Sequence, residues 1–134
     1  MKGSEGRGFP ETNKVSFGGS EGEEQAALFE WASWNVGRYP ELRLMFHVPN
    51  GGSRNKIEAA KLKAQGVKAG VPDVWLPVAR GAFHGLVIEM KVGKNKPTAD
   101  QKEWIRLLIE QKYATRVCYG WQEAREAIER YLSL

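Results

Sequence analysis

The chain has 134 residues, 42% of them hydrophobic, enough for one domain that buries roughly two-thirds of its unfolded surface, and too few to suggest a second. No apolar run approaches the roughly 20 residues needed to cross a bilayer, the first residues hold no signal-like apolar segment, and a lone cysteine, Cys118, excludes an internal disulfide. The formal charge of +4 is local in origin: Arg54, Lys56, Lys61, Lys63 and Lys68 stand against Glu58 alone, a concentration that suits a polyanion, the plain alternative being a solvated helix face.

Residues 1–19 are rich in Gly, Ser, Lys and Glu and read as a flexible tail, so the folded domain should span 20–134. Ser20 and Glu23 fit a capping box, and Leu28, Phe29, Ala32 and Val36 follow at helical spacing, which predicts a first helix to about Asn35. Leu42 to Val48 reads as a strand. Pro49, Asn50, Gly51 and Gly52 break it, and Asn55 to Gln65 predicts a basic helix stopped by Gly66. Val74 to Val78 and Leu86 to Val92 read as two strands around the turn Arg80-Gly81-Ala82. Thr98 and Gln101 fit a second capping box, opening a helix to Gln111 with Trp104, Ile105, Leu108 and Ile109 inward. Thr115 to Tyr119 is a fourth strand, with Cys118 a small buried hydrophobe. Gln122 to Leu132 is an amphipathic helix with Ala124, Ile128 and Leu132 inward.

The turn at Gly81 lies midway between Asp73 and Glu89, so antiparallel pairing sets these two carboxylates opposite each other on one face, with Lys91 and Trp75 on the same face. Two carboxylates about 4 Å apart repel by about 4 kcal/mol at an effective dielectric near 20, so a proton or a cation belongs between them. Hard divalent ions, Mg²⁺ or Mn²⁺, match an oxygen ligand set. Pro72 suits the start of a strand. A surface Glu89/Lys91 ion pair is the plainer reading, and His47 and His84 are too isolated for a zinc site. Asn50, Gly51, Gly52 and Arg54 read as a phosphate-contacting loop or as a simple turn. Arg54, Lys61, Lys63 and Lys68 read as phosphate contacts.

Asp73 followed by Glu89-Met90-Lys91 resembles the active site of the PD-(D/E)xK nuclease superfamily. From about Glu21 onward the chain resembles stand-alone VRR-NUC domains of phages and bacteria. The resemblance rests on Phe46-His47-Val48-Pro49-Asn50-Gly51-Gly52, on the run from Lys61 to Asp73, and on Gln101. It implies a three-layer, restriction-endonuclease-like α/β fold: an αβββαβ core with a mixed sheet, one helix inserted after the first strand and one appended. It further implies a metal-dependent endonuclease whose Mg²⁺ or Mn²⁺ is held by Asp73, Glu89 and the Met90 carbonyl, with Lys91 catalytic and Gln101 beside the metal. The alternative for Gln101 is the third residue of its capping box. The family places a glutamate of the first helix at the site. Among Glu21, Glu23 and Glu24, Glu23 is taken by capping, Glu21 is favoured and Glu24 is next.

The implied substrate is DNA, branched as in a Holliday junction, with a flap or nonspecific nuclease, or a noncatalytic nucleic-acid-binding protein of the same fold, as alternatives. Two symmetric nicks in a four-way junction imply a homodimer. Trp31, Trp34 or Tyr39 are the candidate contacts. The expected location is the cytoplasm of a bacterium or phage-infected host, with no membrane partner.

Overall fold

The computed structural model describes residues 19–49 and 55–134. The sequence-predicted tail, apart from Gly19, and the loop residues Asn50, Gly51, Gly52 and Arg54 lie outside them.

Helix α1 (Glu21–Trp34) starts where Ser20 Oγ accepts from the Glu23 amide at 3.1 Å while the Glu23 carboxylate accepts from the Ser20 amide at 3.0 Å. Leu28, Trp31 and Ala32 form its buried stripe. Val36 does not extend that stripe, because Asn35 ends the helix and Val36 is exposed in the turn beyond it.

The strand expected over Leu42 to Val48 shrinks to β1 (Phe46–His47), preceded by a 3-10 helix at Pro40–Leu44. Proline at the first helical position presets φ for that turn. Leu42 and Met45 are both buried, a three-residue spacing that one turn of helix serves and an alternating strand does not.

Helix α2 (Lys56–Ala64) is capped by Asn55, whose side chain accepts from the Glu58 amide at 2.7 Å. It closes in a Schellman motif: Gly66, at φ 103°, donates to the Lys63 carbonyl and Val67 to the Leu62 carbonyl, each at 3.0 Å. None of its residues is buried.

Strands β2 (Val74–Leu76) and β3 (Leu86–Lys91) pair antiparallel in the register Val74 with Ile88, Trp75 with Val87 and Leu76 with Leu86. Pro77 ends β2 two residues before the expected Val78, and the chain reverses where Arg80 and Phe83 exchange backbone hydrogen bonds. Helix α3 (Ala99–Glu110), β4 (Ala114–Tyr119) and helix α4 (Trp121–Leu132) complete the chain. The sheet order is β1-β2-β3-β4, antiparallel except for the β3–β4 pair, which α3 connects.

One face of this mixed sheet, carrying Val74, Leu76, Ile88, Met90 and Cys118, packs on Leu28 and Trp31 of α1 and on Ala124, Ile128 and Tyr131 of α4. The other face carries Val87, Glu89 and Lys91, with α3 packed on β4 and Leu108 buried there. Trp104 and Ile105 are half-buried, whereas Ile109, expected inward, is exposed because the apolar stripe of α3 is narrower than its run of apolar residues. The result is the three-layer arrangement anticipated, with β3 buried along its whole length. Burial pushes the Cys118 thiol up to about 12. Among the described residues no helix is long and apolar enough to cross a membrane.

Candidate active site

The site grows from the point where β2 begins. Extended two residues past its last pair, Val74 with Ile88, the β2–β3 register would set Met90 opposite Pro72, whose carbonyl is instead used by the Trp75 indole N–H at 2.9 Å. The Met90 amide therefore lacks a ladder partner, and it donates to Asp73 Oδ2 at 2.8 Å. A strand residue turns its N–H and C=O to the same side, so the Met90 carbonyl leaves β3 on the side from which its amide donates. The Asp73 carbonyl accepts from the Val48 amide at 2.8 Å, tying β1 to the same place. Gly70, at φ 90°, lets the approaching loop touch the first turn of α3. A Cβ there would sit 2.6 Å from the Asp100 backbone.

Continuing the register by one residue sets Glu89 opposite Asp73, close enough for a hydrogen bond between the two carboxyls. Glu89 is only 2% exposed. Its Oε2 accepts from Gln101 Nε2 at 2.8 Å and lies 3.8 Å from Lys91 Nζ, while Oε1 is buried with no hydrogen-bond partner. Desolvation raises the Glu89 pKa to about 8, helped by the Asp73 charge, the hydrogen bond to Asp73 and the Glu21 charge, and opposed by Lys91. Lys91 is itself 6% exposed, so the pair is not the solvated surface bridge of the simpler reading.

Gln101 fills both roles that compete for it in the sequence. Its Oε1 accepts from the Thr98 amide at 2.9 Å as the capping box requires, which turns Nε2 toward Glu89. The two first-turn glutamates diverge. Glu24 is fully buried; its Oε1 accepts from the Trp121 amide at 2.8 Å at the start of α4, and its Oε2 has no hydrogen-bond partner. Glu21 is half-buried and within electrostatic reach of Glu89.

Lys61, Lys63 and Lys68 are exposed on and after α2. Of the aromatic residues considered for a contact between copies, Trp31 is buried and Tyr39 packs against it, which leaves Trp34, at 70% exposed. Sequence reasoning set aside His47, yet its Nδ1 lies 3.3 Å from the Asp73 carbonyl at the rim of the site. Only the register of the two-residue β1 reveals that contact.

A hard divalent cation fits this donor set. Two carboxylates meet, and one buried oxygen of the pair, Glu89 Oε1, lacks a partner. Among the described residues no three His, Cys, Asp or Glu side chains converge in metal-binding range, so main chain and water would complete the coordination. A shallow depression of about 570 Å³ lined by Pro40, Glu41, Arg43 and Leu44 shares no residue with this centre.

No curated protein matches the chain. A solved structure of a VRR_NUC domain protein is similar, with a TM-score of 0.73 and 35% identity, over 87% of this chain and 91% of that one. The VRR-NUC domain family matches residues 20–122. With sequence and fold in agreement over most of its length, the chain belongs to the VRR-NUC domain family and carries a nuclease-type fold.

Proposed function

We propose that the protein is a Mg²⁺- or Mn²⁺-dependent endonuclease that hydrolyses DNA phosphodiester bonds and acts on branched DNA, as a Holliday-junction resolvase does. The observation that carries this reading is the buried meeting of the Glu89 and Asp73 carboxyls, with the Lys91 ammonium 3.8 Å from Glu89 Oε2. Binding alone has no use for paired carboxylates that repel phosphate.

Asp73, Glu89 and the Met90 carbonyl would hold the ion. When bound, it polarises a phosphoryl oxygen and lowers the pKa of water. Gln101 holds the Glu89 carboxylate by donating from Nε2 to Oε2. Lys91, nearly buried, keeps its ammonium where negative charge develops and orients the attacking water. Glu21 adds negative charge in reach of Glu89. The lysines of α2 draw in the phosphate backbone.

Resolving a four-way junction takes two symmetric nicks, so the active form is a homodimer whose two-fold axis matches the junction's. The test is cleavage of junction, flap, duplex and single-stranded substrates with metal, with light scattering of the free and DNA-bound protein. Paired cuts on opposing junction strands by a dimer support the reading. A monomer that nicks opposing strands independently contradicts the resolvase assignment and leaves a flap or nonspecific nuclease. Binding without cleavage in either metal leaves a noncatalytic nucleic-acid-binding protein.

A further inference from the structure

A row of rings runs beside the carboxylate pair. Phe46 and Trp75 are register partners, so their side chains stand on one face. Their rings lie 15° from parallel with centroids 6.5 Å apart. Behind Trp75, Tyr113 meets it edge-on at 6.0 Å, and His84 meets Tyr113 at 6.0 Å. The inner end of the row is fixed, since the Trp75 indole N–H is held by the Pro72 carbonyl. The outer end is open: Phe46 is 47% exposed. Strand alternation puts Asp73 on the Trp75 face, two residues or roughly 7 Å along the chain.

The surroundings say what would cover the exposed ring. Helix α2 belongs to an excursion that leaves from β1 and returns at Asp73, and the Val48–Asp73 hydrogen bond holds the two ends of that excursion together. Lys56, Lys61 and Lys63 on the helix and Lys68 beyond it are all exposed, on the segment that links β1 back to Asp73. A nucleotide suits an open ring beside the carboxylate pair of a VRR-NUC domain, with its base on the ring and its phosphate toward that pair.

We propose that Phe46, backed by Trp75, is a stacking platform for an unpaired base next to the scissile phosphate, which selects substrates at points where bases have left the duplex. The proposal rests on the nucleic-acid reading of the site, but its test does not need cleavage.

Binding of 2-aminopurine-labelled single-stranded and fully paired oligonucleotides is measured in chelator. The wild-type protein quenches the single-stranded probe. Phe46→Ala and Phe46→Leu lose about tenfold in affinity for the single strand and stay within about twofold on the duplex, while Phe46→Trp restores binding. Circular dichroism and melting establish that each variant is folded. A folded Phe46→Leu that binds the single strand as tightly as wild type overturns the proposal, as does an equal loss on both substrates. Conversion of a dimer to a monomer by Phe46→Ala with single-strand binding unchanged also overturns it, by assigning the ring to a contact between copies. If the wild type fails to cut DNA yet quenches through Phe46, the nuclease reading falls and the platform stands.

Discussion

Glu89 concentrates the chemistry of the molecule in one carboxyl. Its folded pKa of about 8 lies above the ordinary 4.5, so the native state keeps a proton that the unfolded chain releases. Stability from this group is therefore full below about pH 4.5, declines as pH rises, and is gone above about pH 8. Metal-free melting of the wild type should fall across that window. Glu89→Gln should remove most of this slope and melt about 5 °C or more higher at pH 8.5, a shift calorimetry resolves in a domain of this size. Equal slopes for the two proteins would mean that Glu89 is ionised in the native state. The carboxylate pair is legible in the sequence because a hairpin with a clear midpoint fixes the register. The double duty of Gln101 is not, because a cap and a contact to Glu89 look like rivals until the two ends of one amide are seen to point different ways. Glu24 is likewise hidden, since its partner, the Trp121 amide, is 97 positions away.

Among the elements, α1, α2, α3, β3, β4 and α4 follow from caps and periodicity because each has a local signal: Ser20, Asn55 and Thr98 at helix starts, Gly66 at a helix end, and apolar residues at strand or helix spacing. The stretch from Pro40 to Val48 misleads because its apolar content resembles a strand, while the burial of Leu42 and Met45 obeys a three-residue period. Helix α2 is the odd member, nine residues long with none buried. A helix that short gains little from propensity alone, so its stability should grow when its charges are neutralised by a polyanion. The double variant Lys61→Ala, Lys63→Ala should lower affinity for all DNA sequences alike and flatten the slope of log affinity against log salt by about two, roughly one for each lost phosphate contact. An unchanged slope would remove these lysines from the DNA interface.

At the scale of the whole molecule, the fold works as a frame that brings four segments to one edge of β3: the start of β2, the Glu-Met-Lys run of β3 itself, the first turn of α3, and the rim strand β1. Backbone ladders hold β1, β2, β3 and β4 together apart from the bonds that Asp73 and Glu89 make with their own side chains. Substituting them should then leave the fold in place. Nicking of supercoiled plasmid by the wild type and by Asp73→Asn, Glu89→Gln and Lys91→Ala, with Mg²⁺, with Mn²⁺ and with chelator, tests the central claim most directly. The account predicts cutting by the wild type only when metal is present, and activity reduced by at least about a hundredfold in each folded variant, the scale of losing one electrostatic contact to the transition state. Cutting in chelator, or near wild-type cutting by any folded variant of the three, would contradict it.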